Sequence, residues 1–208
     1  MGMGTAILVA AGVVACRSEP PADVGAATVT AMAGASTAPS TDTGPAVPVQ
    51  DGGLPSADPI RPPVRLLIPA MRLDATVAAV GVDARTGEFD VPPSVDRVGW
   101  YRFGPGVEAT AGSIVVAGHV DSAAQGKGAF FALGKLAKGE RITVAGADGA
   151  ERAFTVVARE RYAKTRIPLD RYFARDGRVR LTLITCGGAF DPKTGHYRDN
   201  IVVTAAPV

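Results

Sequence analysis

Cys186 stands at the end of the alternating apolar run RVRLTLITC, immediately before Gly187 and Gly188. A lone thiol is often a small buried hydrophobe. A thiol that attacks a carbonyl needs more: a proton carrier, and a donor for the charge that develops on the carbonyl oxygen. Of the two histidines, His119 closes the apolar run GSIVVAGH, whereas His196 lies in the polar stretch DPKTGHYRDN. A strand exit holds an imidazole beside a core while leaving it in touch with solvent, as proton transfer requires. Arg198 follows the cysteine twelve residues on, just before the last apolar run. If those two runs are neighbouring strands, its guanidinium can reach the space above the sulfur and donate to an oxygen gaining negative charge. The two glycines either clear the approach to the thiol or end the strand in a left-handed turn. Asp121, in GHVDS, either orients His119 or closes a turn.

The elements that must position these residues are mostly short β-branched runs broken by Gly, Pro and Asp. Strands are expected at 64–68, 75–81, 89–92, 113–119, 141–146, 153–162, 178–186 and 200–206, with hairpin chemistry in ADGAE between the fifth and sixth. Helical candidates are short: GAFFALGKL at 128–136 and LDRYFAR at 169–175, the latter with Asp170 in its first turn. The fold class is therefore mainly β, a closed or nearly closed eight-stranded barrel or a sandwich with one or two short helices. Residues 64–208 carry 20 Lys/Arg against 15 Asp/Glu, and the whole chain has a net charge of +2. That balance, with no aromatic-basic pattern, argues against a nucleic-acid partner.

The first third is different in kind. No Phe, Tyr or Trp precedes Phe89, and nine of the sixteen prolines fall between residues 17 and 63. Residues 17–63 lack the large apolar groups that offset ordering entropy, so they read as a disordered tether. Residues 1–16, MGMGTAILVAAGVVAC, hold an apolar run short for a membrane span and suited to an export signal, although no Lys or Arg precedes it. Val13-Val14-Ala15-Cys16 resembles a bacterial lipobox, which would make Cys16 a lipidation site. Lipoprotein, spanning anchor and cleaved signal all place residues 64–208 outside the cytoplasm. Paired cysteines become disulfides there, yet Cys16 is a poor partner, so Cys186 is an exported thiol without a mate.

Together these residues resemble the sortase family over residues 64–208. TLITC fits its T-L-x-T-C signature, AGH at 117–119 its strand-end histidine, and YRDN its arginine. The resemblance is closest to the actinobacterial class E/F group. It implies a sortase-type β-barrel behind an N-terminal anchor, with Cys186 as nucleophile, His119 as general acid/base, Arg198 as oxyanion or substrate-orienting donor, and Thr185 as an aid to substrate binding. It further implies a cysteine transpeptidase that needs no cofactor. The enzyme would cleave an LPxTG-like motif of surface-protein precursors and pass the acyl group to an amine, such as a cell-wall precursor or a pilin lysine. Some sortases bind calcium through acidic loops; the corresponding stretch here, RERYAKTRIP, is basic, so no metal site is expected. That run either contacts an anionic polymer or the acceptor, or is a solvated face. A rival, an L,D-transpeptidase-like cell-wall acyltransferase, would resemble S-H-G-C, which does not occur. A non-catalytic tethered β-barrel with an inert thiol is the alternative of another class.

Overall fold

A computed structural model describes residues 21–34, 60–83 and 89–208. Eight strands close a barrel in the order β1-β2-β3-β4-β9-β10-β8-β7. They are β1 (Pro63–Ile68), β2 (Leu73–Val80), β3 (Val98–Tyr101), β4 (Ser113–Gly118), β7 (Arg141–Gly146), β8 (Glu151–Ala163), β9 (Arg180–Asp191) and β10 (His196–Pro207). A separate two-stranded hairpin, β5 (Asp121–Ser122) with β6 (Gly126–Lys127), stands just beyond β4. Leu66, Trp100, Ile114, Val116, Phe154, Leu181, Leu183 and Val203, all buried, belong to the core inside the barrel. Alternation explains the sidedness of the first half of β2, where Ala75 and Val77 are buried between exposed Asp74 and Thr76. β4 is buried at every position, as expected for a strand covered on both faces.

Seven of the eight expected strands overlap barrel strands; the eighth is corrected. In FDVP only Phe89 pairs, in an isolated bridge with Val82. Pro92 and Pro93 lack the N–H that a ladder needs. The third barrel strand is instead VGWY at 98–101, where a Cβ on Gly99 would lie 2.7 Å from Val80 Cγ2. GAFFALGKL forms no α-helix. Its bonds run from residue i to i−3 (Leu133 to Phe130, Leu136 to Leu133), and this tighter winding buries Phe130, Leu133 and Leu136. LDRYFAR gives one α-turn, α2 (Leu169–Tyr172), with Asp170 in the first turn as expected. The ADGAE hairpin forms, with Gly149 at φ +80.

The larger difference lies in the stretch read as a tether. Residues 26–34 form a helix, α1 (Ala26–Gly34), whose Val29 and Met32 are buried. Val29 joins an apolar cluster with Ala158, Tyr172 and Val202 on the outside of the barrel. Just before the helix, Val24 exchanges two 2.9 Å backbone hydrogen bonds with Arg159, at a stretch of β8 beyond its last pairing with β7. Arg159 and Arg171 each donate at 2.8 Å to a carbonyl of this segment, Ala22 and Ala26. Nine residues are too few for a stable isolated helix, so α1 owes its existence to this docking. The remainder of 17–63, apart from 60–63, lies outside the described residues, as do Cys16 and the apolar run before it.

Candidate functional site

β4 and β9 run parallel, with Ala117 opposite Ile184. Continued by one step, that register sets Gly118 against Thr185, and a second step brings His119 level with Cys186. The Thr185 hydroxyl secures the pair of strand ends by donating to the Gly118 carbonyl at 2.7 Å. Thr185 is only 4% exposed, yet it lines the cleft beside the thiol. Its hydroxyl is therefore already spent on holding the two strand ends together.

His119 is fixed from two sides. A ring nitrogen, Nε2, lies 3.0 Å from the Pro92 carbonyl oxygen. Its own carbonyl accepts from the Phe130 amide at 3.0 Å. Gly128 makes that approach possible, since a Cβ there would lie 2.3 Å from the His119 oxygen. Asp121 does not orient the imidazole through a hydrogen bond. Its Oδ2 accepts from the Tyr197 hydroxyl at 2.5 Å, and its backbone starts the β5–β6 hairpin. Tyr197 was not among the expected site residues, and only its place in the strand beside the cysteine would have suggested it. Its phenol is held protonated above the usual tyrosine range, first by the hydrogen bond to Asp121, then by desolvation and by the charges of Asp121 and Cys186.

Cys186 is a half-buried free thiol directly opposite Asn200 on β10. The glycines after it do not end the strand, which runs on to Asp191. They shape a bulge: Tyr197 faces Phe190 and Asp199 faces Gly187, so β9 carries one extra residue between them. Gly188 has φ +75, and a Cβ on it would lie 2.2 Å from Asp199 Oδ2. Arg198 falls within this bulge. β9 and β10 are neighbours, as the sequence argument required, but the guanidinium points to solvent, 68% exposed, with Asp191 Oδ2 at 3.5 Å.

Two clefts open onto the thiol. The larger, about 440 Å³, is lined by Phe130, Phe131, Thr185, Cys186 and Ile201, with Pro21 and Asp23 of the N-terminal segment on its wall. The smaller, about 300 Å³, is lined by His119, Asp121, Lys164, Cys186, His196 and Tyr197, among others. The fold thus brings His119 and Cys186 to one cavity, adds His196 and Tyr197 to it, and leaves Arg198 outside both. Among the described residues no group of His, Cys, Asp and Glu is arranged to hold a metal ion, and no helix is long and apolar enough to cross a membrane.

A closed eight-stranded barrel with a thiol on one strand and an imidazole just past the end of its parallel neighbour defines a β-barrel carrying a thiol–histidine site. A family model described as the sortase domain matches residues 66–208. The chain belongs to the sortase family, a family of cysteine transpeptidases. Among solved structures it is similar to "Sortase C1 of GBS Pilus Island 1", at 18% identity and a TM-score of 0.53, covering 69% of this chain and 64% of that one. Sortase C-1 from Actinomyces oris is 22% identical with a TM-score of 0.53, covering 69% and 72%. Sortase C from Clostridium perfringens SM101 is 14% identical with a TM-score of 0.51, covering 69% and 68%. This chain thus spans less than two thirds of the first of these. At such identities the likeness shows the fold and does not divide the sortase classes. No curated protein matches.

Proposed function

We propose that this chain is an exported cysteine transpeptidase that breaks a peptide bond in an LPxTG-like sorting motif and joins the acyl fragment to an amine. The observation that carries the reading is the shared cavity of His119 and Cys186, built from adjacent parallel strands of a sortase barrel. In this scheme the Cys186 sulfur attacks the scissile carbonyl, its proton passes to His119, and His119 delivers a proton to the departing amine. The resulting thioester conserves the acyl energy where no ATP is available. An acceptor amine then attacks it, restoring the thiol and leaving a new amide. Arg198 would stabilise the carbonyl oxygen after leaving Asp191, an exposed pairing that costs at most about 1 kcal/mol to break. Thr185 would act by holding the strand ends and by lining the donor cleft.

Substrates would be surface-protein precursors, and the acceptor a cell-wall precursor or a pilin lysine. Among the similar structures, sortase C1 of GBS Pilus Island 1 and the pilus-related sortase C of Group B Streptococcus are named for pili. The class E/F resemblance of the motifs is part of this proposal, as is anchoring at the outer face of a bacterial membrane through residues 1–16. If Cys16 is lipidated, the geometry of tethering follows from Pro21. That residue lies on the wall of the cleft, so five residue steps, at most about 18 Å, separate the lipid from it. The enzyme would then work close against the membrane, where its precursors are also held.

The test is acyl-enzyme capture. The full chain is incubated with a library of LPxTG-like peptides, and intact mass is read for an adduct on Cys186. The adduct and cleavage are expected in the wild type and absent in Cys186→Ala. Turnover that survives in Cys186→Ala would end this reading. A thiol that labels no faster than free cysteine would favour the non-catalytic barrel.

A further inference from the structure

Acyl transfer needs two occupants in turn, and the thiol lies where two clefts meet. The larger presents Phe130, Phe131 and Ile201, surfaces for an extended peptide. The smaller contains the imidazole. Amine departure and amine attack are the same step run in opposite directions, so both require the group that moves the proton. The acceptor therefore enters through the cleft that holds His119.

That cleft also carries two side chains of opposite charge, Asp121 and Lys164. The Asp121 carboxylate is held through Oδ2 by Tyr197, and Oδ1 makes no hydrogen bond among the described residues. Facing the same cavity is Lys164, on the turn Lys164–Arg166 that follows β8, exposed and in no ion pair among the described residues. The basic run RERYAKTRIP thus sends one of its cations to the acceptor side of the thiol. His196 and Tyr197 complete the titratable lining.

We infer that the smaller cleft is the acceptor site, and that Asp121 and Lys164 make it selective for primary amines that also carry a carboxylate, which favours a cell-wall precursor bearing one over a lysine within a pilin chain. Asp121 accepts an N–H of the amine, and Lys164 pairs with the carboxylate. His119 removes a proton as the nitrogen attacks the thioester carbonyl. The C–S bond breaks, its electron pair leaves on the Cys186 sulfur, and His119 returns the proton there. The amine attacks unprotonated, so the one proton it loses is the one the sulfur gains; an amide analogue keeps that amine but lacks the carboxylate for Lys164.

This inference rests on the transpeptidase reading, and one experiment separates the two. The acyl-enzyme of the full chain is offered glycylglycine or glycylglycinamide, and lysine or lysinamide, and its partition between water and amine is measured by product mass. The expected result is a preference of about fivefold or more for each carboxylate-bearing amine, the size of an exposed to half-buried ion pair. In Lys164→Gln that preference falls to near one. In Asp121→Asn the acceptor KM rises for acid and amide alike, with the donor KM unmoved. An acyl-enzyme that forms and hydrolyses but shows no preference, or a preference that survives in Lys164→Gln, overturns the acceptor assignment alone. A wild-type protein that forms no acyl-enzyme overturns the transpeptidase reading and this inference with it.

Discussion

Met32→Ala tests whether the N-terminal segment is part of the catalytic barrel. Met32 is 2% exposed, on the same helix as Val29, which packs in a cluster with Tyr172 of α2, Ala158 of β8 and Val202 of β10. Removing three heavy atoms from such a site costs about 2–5 kcal/mol, the transfer loss plus the cavity left behind. The barrel core does not include Met32, so the loss falls on the docking of residues 21–34. A loss of about 3 kcal/mol lowers the docking constant by roughly two decades. Three amides report it: Val24 and Arg159, which bond each other, and Arg178, which donates to the Met32 carbonyl at 3.0 Å. Hydrogen exchange at these three should quicken by about a hundredfold, while barrel amides such as Leu183 keep their protection. Because Pro21 and Asp23 line the larger cleft, the donor KM should rise in the same variant. Unchanged exchange at all three amides would refute the idea that burial of Met32 holds this segment in place. Equal loss at Leu183 would show that α1 belongs to the cooperative core.

His119→Ala should be nearly inactive in peptide cleavage, while His196→Ala, exposed on the other wall of the smaller cleft, should keep most of its rate; the reverse order would move the base to His196. Arg198→Lys keeps the charge but loses the planar fork, so kcat should fall about tenfold to a thousandfold, whereas Asp191→Asn, which only frees the arginine, should change it less than about fivefold. A wild-type rate for the lysine variant would leave Arg198 with a general field effect. The alkaline limb of stability should come from Tyr172. Its phenol is buried against Glu160 and Tyr162, and desolvation first, then those hydrogen bonds, hold it protonated far above the ordinary value of 10.0. A group with a raised folded pKa contributes stability fully below its unfolded value and loses it as pH rises. Denaturant stability should therefore drop above about pH 10, by about 1.4 kcal/mol per pH unit from this group, and less steeply in Tyr172→Phe. Equal slopes in the two proteins would remove Tyr172 from the account.

Much of the barrel was legible in one dimension because its signal is local. Alternation at period two marks β2 and β8, and turn chemistry marks the hairpin between β7 and β8. VGWY escaped notice because four residues containing a glycine carry little periodicity. Its strand identity comes from the partners on either side, Val80 and Val116 among them. The helix α1 escaped for a related reason. Ala, Thr and Gly around Val29 and Met32 read as a spacer, and only a docking surface made by distant residues turns that pair into a buried stripe.

Within the site, the sequence by itself determined which groups exist: one cysteine outside the N-terminal segment, two histidines, and an arginine twelve residues after that cysteine. It also determined that His119 and Cys186 each close a run of β-branched residues, although β9 continues past Cys186 to Asp191. Tertiary structure alone decided that those strands are parallel neighbours, because a separation of 67 positions leaves the register open until the barrel closes. It alone decided that Asp121 bonds Tyr197, that the glycines form a bulge, and that Arg198 leans on Asp191. Side-chain partnerships of that kind are set by where the backbone places each group. Composition names the chemistry available; closure of the barrel selects which pieces of it meet.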